Sequence, residues 1–312
     1  LGIGEVLLVV EREASLDGMP KNHGPGPRDP RGARGFADVA PEAVLLGGAG
    51  AAILLQLADP RVGRGVAEHS NFANQPLPRL WATLDYVYAV ALGDPRLRAA
   101  QVAHVTRAHD RVNGPASAEH PAYDAHDDDA RVWVAMTLAW AGTRAWEAAL
   151  GPLPAATQDE VVRGYGGLAS SLGVPPGQWF ASRAEFDAAF NSRVRRLRVS
   201  DQARAVAREL LAAKAAPLWL RAAMPAARLA TAALLPAPVR QDFGLSYGPG
   251  RDRIWRGALA GVNAVYPRLP VAVRQAPAWW RISAQGKALS RRQAEGKASR
   301  IHEAPNHPRR AA

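Results

Sequence analysis

Read as a helix, VTRAHDRVNG at residues 105–114 places a histidine where an apolar residue is expected. Val102, Val105, His109 and Val112 are offset by three, seven and ten residues, which is one helical stripe, and Gly114 follows as a helix-ending glycine. An imidazole facing inward is either a core histidine with a hydrogen-bond partner or a metal ligand, and the spacing leaves both open. His104, five residues earlier, falls about 140° around the helix, so the two rings cannot grip one metal. His104 is expected on the surface.

A second candidate lies upstream. Arg79 and Thr83 are four residues apart on one helical face, continued by Tyr86 and Val90. Such an Arg–Thr pair can bind a carboxylate or propionate and orient a small polar ligand; the alternative is an arginine that snorkels to water. The run HPAYDAHDDDA at 120–130 holds His120, Asp124, His126 and three aspartates, but its spacing matches no metal motif, and a loop into an acid-capped helix explains it. RVRRLRV at 193–199 could meet phosphate or lipid headgroups, yet no aromatic residues interleave it for base stacking. LGGAGA and GPGRDR lack the preceding strand of a phosphate loop, and no G-x-S-x-G elbow is present. Glu68–His69 has no second histidine at zinc-protease spacing.

These residues need a scaffold, and composition points to helices. Alanine and arginine dominate, runs of strand formers are scarce, and 48% of the 312 residues are hydrophobic, enough for one large core. Helices are expected at Ala43–Leu57, Arg61–Ser70, from Pro78 toward Gly93, and at Pro95–Val112. Asp127, Asp128 and Asp129 favour a helix start ahead of an apolar run, Val132–Leu150. Thr157 with Glu160, and Ser182 with Glu185, form capping-box patterns for helices at about 158–171 and 183–196. Ser200 or Asp201 caps another to Ala213, an Ala/Leu helix over 218–235 is interrupted by Pro225, and a last one covers about 251–265. The expectation is an all-α fold. One multi-helix domain over 41–282 would lie between a Gly/Pro-rich N-terminal extension and linker, 1–40, and a basic polar tail, 283–312, with disordered or loosely attached ends.

Net charge is +11, and much of the excess sits in the tail at Lys287, Arg291, Arg292, Lys297, Arg300, Arg309 and Arg310. There is no cysteine, which excludes disulfides, thiolate-ligated haem, iron–sulfur clusters and Cys-zinc sites. GIGEVLLVVEREA carries Glu5 within its apolar part and has no basic flank, a poor signal peptide. The longest apolar run, Ala43–Ala58, is short for a membrane span. A cytoplasmic protein, peripheral at the membrane if it touches one, is expected.

A collinear string of motifs is similar to the MpaB and latex-clearing-protein family, which shares the catalytic domain of rubber oxygenase. The string runs through LLGGAGAAILLQLADPRVGRGVAEHSNF (45–72), PLPRLWATLDYVYAVALGD (76–94), HDRVNG (109–114), YDAHDDDARVWV (123–134), GPL (151–153) and LPAPVRQDFGLSY (235–247). The resemblance implies an all-helical fold holding haem b. His109 matches the family's His-x-x-Val-x-Gly position, implying the proximal ligand of the iron. Arg79 and Thr83 match the Arg-x-x-x-Thr pair near the haem, and Glu68 lies in the segment that supplies an acidic residue to the pocket. Family members cleave carbon–carbon double bonds of isoprenoid chains with dioxygen.

Three positions depart from that pattern: Ala82 stands where rubber oxygenase has lysine, Asp59 replaces a His-Pro histidine, and Ala135 replaces a histidine after Trp-Val. Alanine cannot ligate iron, so any sixth coordination site is open, or filled by water or another side chain. The expected activity is a haem-dependent oxygenase using dioxygen on an apolar, isoprenoid or lipid-like substrate. His109 holds the iron, Arg79 and Thr83 position dioxygen or propionates, and Glu68 serves as acid or base. The alternative is a cofactor-free helical lipid- or partner-binding protein on the same scaffold. A nucleic-acid or membrane-surface role through Arg193–Arg198 and the tail is the third reading, with no specific nucleic acid expected.

Overall fold

Fourteen α-helices and one short ribbon carry the chain in a computed structural model, which describes residues 27–69, 76–118 and 120–302. In order these are α1 (Phe36–Val39), α2 (Ala49–Ala58), α3 (Pro60–His69), α4 (Pro76–Leu92), α5 (Pro95–His109), β1 (Asn113–Gly114), β2 (Tyr123–Asp124), α6 (Asp128–Leu150) and α7 (Ala155–Ser170). Then come α8 (Arg183–Val194), α9 (Asp201–Ala212), α10 (Leu218–Leu234), α11 (Ala237–Asp242), α12 (Pro249–Val265), α13 (Val271–Arg274) and α14 (Ala276–His302). The two strands pair antiparallel, with Asn113 opposite Asp124 and Gly114 opposite Tyr123. The fold is all-α, as the residue pattern predicts.

The spine is α6. It starts where the three aspartates predict: Asp127 accepts a hydrogen bond from the Ala130 N–H at 2.8 Å, and Asp128 and Asp129 occupy the first turn. Apolar on nearly every face, it buries Trp133 and Trp146 completely. Trp140 stacks on Phe190 of α8 at 4.8 Å and Trp133 stacks on the same ring at 5.8 Å, so the tryptophans fill the core with one another. Two glycines of LGGAGA, Gly48 and Gly50, serve packing. A Cβ on Gly48 would lie 2.4 Å from the Ala141 carbonyl oxygen, so only glycine lets this segment rest on α6. The segment Ala43–Gly48 is a 3-10 helix leading into α2 rather than part of one continuous helix.

Several boundaries differ from the expectation. The 158–171 helix begins at Ala155, with Thr157 buried inside its first turn, and Glu160 pairs with Arg163 instead of closing a capping box. Ser182 and Ser200 do cap, accepting from the N–H groups of Glu185 at 3.3 Å and Ala203 at 3.1 Å. Pro225 does not interrupt α10; it and Arg221, whose carbonyl it frees, both lie on the exposed face, where water can replace the lost bond.

The expected linker takes structure from Pro30 onward, because Phe36 buries its ring against Tyr165 at 4.4 Å. Residues 1–26, with the signal-peptide reading and most of the extension, lie outside the described residues, as do 303–312. Over 283–302 the basic tail is helical: it continues α14, whose Ala278, Ile282 and Gln285 are buried. Arg281 pairs with Asp85 of α4, and Gln285 donates to the same carboxylate at 3.1 Å. Beyond that anchor the run of Ala, Arg, Gln, Lys and Glu is made of helix formers.

The start of the 3-10 segment is tied to the far end of the chain. Fully buried Glu42 accepts from Arg274 at 2.9 Å, from Gln275 at 2.9 Å and from the Tyr266 hydroxyl at 2.8 Å. No single described helix is long and apolar enough to cross a membrane; the pair Ala43–Ala58 and Pro60–His69 is bent by 104°.

Candidate functional site

Asp94 opens α5 by accepting from the Leu97 N–H at 2.8 Å, and Pro95 occupies the first turn. The helix stops at His109, three residues short of the expected Val112. There the Val112 N–H turns back to the His109 carbonyl at 2.8 Å, while the Val112 carbonyl accepts from Ala125 at 2.8 Å. Val112 is therefore the approach to the ribbon rather than the next step of the stripe, and Gly114 belongs to β1 rather than to a helix cap. The exchange of helix for ribbon bonds makes this the cheaper way to satisfy those backbone groups.

His109 thus sits on the last turn of α5, half-buried, with its Nδ1 buried and without a hydrogen-bond partner among the described residues. Its pKa is pulled down to about 4, first by burial and then by the positive charge of Arg131, by His126 and by Arg79. The carbonyl end of a helix would favour the protonated ring, but that effect is small and burial outweighs it. The ring is neutral near pH 7 and keeps an uncommitted nitrogen. Of the two readings of this histidine, the satisfied core residue lacks its partner.

Against that ring stands His126, edge-on, with ring centroids 6.4 Å apart and planes at 82°. The His126 Nε2 meets Asp110 Oδ1 at 3.0 Å and its Nδ1 meets an Arg131 guanidinium nitrogen. Arg131 also donates through Nε to the Ala125 carbonyl at 3.2 Å. The residue pattern names His126 in the 120–130 cluster but assigns the stretch to a loop leading to a cap, and it does not single out Arg131; their five-residue separation on either side of a helix start carries no periodic signal.

On α4, Arg79, Thr83, Tyr86 and Val90 do share a face, Tyr86 and Val90 being buried. Much of the Arg79 side chain is exposed, yet burial of its guanidinium lowers its pKa, and its charge is felt at His109. Thr83 donates its hydroxyl proton to the Arg79 carbonyl at 3.1 Å, so its oxygen is left as an acceptor. Ala82 is exposed on the same helix. His104 is exposed, as its helical angle predicts.

Glu68 belongs to a different cluster. Its Oε1 accepts from Arg64 at 2.7 Å and its Oε2 from the Tyr123 hydroxyl at 2.6 Å, and these bonds hold its carboxyl below the usual range. His69 Nε2 meets the same hydroxyl at 2.8 Å. The cluster fastens α3 to β2; Arg64 adds bonds to the Pro115 and Pro121 carbonyls at 2.8 and 3.0 Å.

The departures at 59 and 135 are structural. Asp59 accepts from the Arg61 N–H at 3.0 Å and the Val62 N–H at 3.3 Å, capping α3, and pairs with Arg193 at 2.9 Å. Arg193 lies over the Trp133 ring at 5.0 Å and also reaches Asp129, so the basic run begins with an internal anchor, while Arg195, Arg196 and Arg198 are exposed. Ala135 is buried in the core. A shallow open groove of about 390 Å³ runs along α5, lined by Gly93, Pro95, Arg98, Ala99, Val102 and Ser171.

Comparison with known proteins identifies the family. The family described as ER-bound oxygenase mpaB/B'/rubber oxygenase, catalytic domain, matches residues 37–264, a span that contains Glu68, Arg79, Thr83, His109, His126 and Arg131. An uncharacterized protein of Mycobacterium bovis is 30% identical over 206 residues, covering 64% of this chain and 80% of the relative. An uncharacterized protein of Mycobacterium tuberculosis matches with the same identity and coverage. No solved structure matches. The chain belongs to the mpaB/rubber oxygenase catalytic-domain family.

Proposed function

We propose that the protein is a haem b-dependent oxygenase that uses dioxygen on an apolar, isoprenoid or lipid-like substrate. The observation that carries this reading is the His109 imidazole: neutral, half-buried, with Nδ1 buried and unpartnered. A buried nitrogen without a partner costs about 1–3 kcal/mol, and a neutral imidazole with a free lone pair is what a histidine that would hold haem iron needs to be. No proton competes for it near pH 7. Membership of an oxygenase catalytic-domain family supports the reaction class.

In this reading His109 holds the iron, and the bound haem supplies the activation of dioxygen that no side chain here provides. Arg79 offers a partly desolvated guanidinium to a propionate, a pairing strengthened by the low local dielectric. Thr83, its proton committed to its own helix, accepts a hydrogen bond and so orients a donor. Glu68 stays ionised and is the carboxylate available to receive a proton, though two strong bonds make it a weak base. Ala82, exposed on the same helix as Arg79 and Thr83, has no donor atom that would hold a metal.

An absorption spectrum tests the reading. Purified wild-type protein supplied with haem is expected to show a Soret band that His109→Ala abolishes; full haem loading of that variant would reject the ligand assignment. Colourless protein that binds a long-chain ligand tightly would instead establish the second reading, a cofactor-free binder of apolar molecules.

A further inference from the structure

We infer that Asp110, His126 and Arg131 form a brace that positions the His109 ring as the side chain that would hold the iron. The inference rests on the haem reading but concerns three residues to which that reading gives no role.

Hydrogen-bond chemistry assigns the brace its protons. A carboxylate only accepts, so the His126 Nε2 must donate to Asp110 across 3.0 Å. A guanidinium only donates, so the His126 Nδ1 must accept from Arg131. His126 is thereby a neutral Nε2–H tautomer with both ring nitrogens consumed. Of two adjacent imidazoles, His109 alone keeps a nitrogen to give.

The brace also fixes direction. The two ring planes stand at 82° with centroids 6.4 Å apart, an edge-to-face pair that limits rotation of the His109 ring about χ2. Asp110 directly follows His109, and Arg131 lies in the first turn of α6, the core helix. Arg131 is itself held by the Ala125 carbonyl at 3.2 Å and by Asp128 at 3.6 Å. The end of α5 is therefore referenced to the rigid spine rather than to the exposed loop between them. The same arrangement sets a fixed positive charge beside the ligand. A metal-bound histidine ordinarily donates its second nitrogen to a carboxylate or carbonyl; here the nearby carboxylate is spent on His126.

Three measurements separate this from a brace that merely fastens the loop. In haem-free wild-type protein, long-range nitrogen–proton NMR of the imidazoles is expected to show His126 as the Nε2–H tautomer; the Nδ1–H tautomer would overturn the brace. In haem titrations followed at the Soret band, His126→Phe keeps a ring but loses both bonds and is expected to weaken affinity by about tenfold or more. His126→Gln, which can still accept from Arg131 and donate to Asp110, is expected to recover most of the loss. The ferric spin-state signature should shift in the Phe variant and return in the Gln variant. If wild type binds haem and His126→Phe binds it equally with an unchanged spectrum, the brace falls and the haem reading stands. If wild type takes up no haem, both fall.

Discussion

Gly114 lies directly under the ring of Tyr123: a Cβ at position 114 would meet the ring atoms Cε1, Cζ and Oη at 2.6, 2.7 and 2.8 Å. The ring cannot swing away cheaply, because its hydroxyl is bonded to Glu68 and His69 and its backbone is paired across the ribbon. The glycine of HDRVNG is thus required by contact with a residue nine positions downstream, not by helix termination.

Gly114→Ala should therefore cost about 1–3 kcal/mol of stability, the usual penalty of forcing a group into a filled space. Urea unfolding would measure it. In a Tyr123→Ala background the same change is expected to be nearly neutral, and an undiminished cost there would show that the contact is not the cause.

Acid should destabilise the haem-free protein through His109. The ring titrates near 6.5 when unfolded and at about 4 when folded, so between those values the unfolded chain holds more protons. Stability falls as pH drops through that window, and is insensitive to this group above it. His109→Phe should flatten the profile between pH 6.5 and 4, read from urea midpoints at several pH values.

If the proposed haem reading holds, Arg79→Gln removes the charge that would meet a propionate while leaving His109 in place. Haem affinity is expected to fall about tenfold, equivalent to 1.4 kcal/mol, with the Soret band position kept. Arg79→Lys should recover only part of it, since a point charge cannot make the two-pronged contact. Equal affinity in all three proteins would remove Arg79 from the site.

Asp59 caps α3 and pairs with Arg193 in a buried setting. Asp59→Ala should cost about 3 kcal/mol, since it strands backbone donors and a buried cation together. Asp59→Asn keeps an oxygen for the cap and should cost less. A calorimetric melt of each variant orders the two.

The helices were legible because their apolar residues recur at helical spacing and several starts are marked by Asp127, Ser182 and Ser200, which cap as their positions suggest. Ends were harder. Val112 looks helical by offset, yet the bond that removes it from α5 comes from Ala125, across the ribbon. The continuation of α14 through the basic tail was hidden because a polar helix and a polar coil share a composition; what anchors it is Asp85, 196 residues from Arg281. His109, Arg79 and Thr83 were visible from spacing and motif. His126 and Arg131 were not, because a hydrogen bond between a loop residue and a helix start leaves no period to read.

The buried carboxylate of Glu42 bears on where the molecule can be trimmed. The family match stops at 264, but the side chains that bond the Glu42 carboxylate, the cation Arg274 and the neutral donors Tyr266 and Gln275, come after it. A fragment cut at the family boundary would keep the anion and discard its counterion, leaving a bare charge in the interior. The shortest piece worth expressing therefore runs past Gln275, and a shorter one should fail to fold even with all the haem-site candidates present.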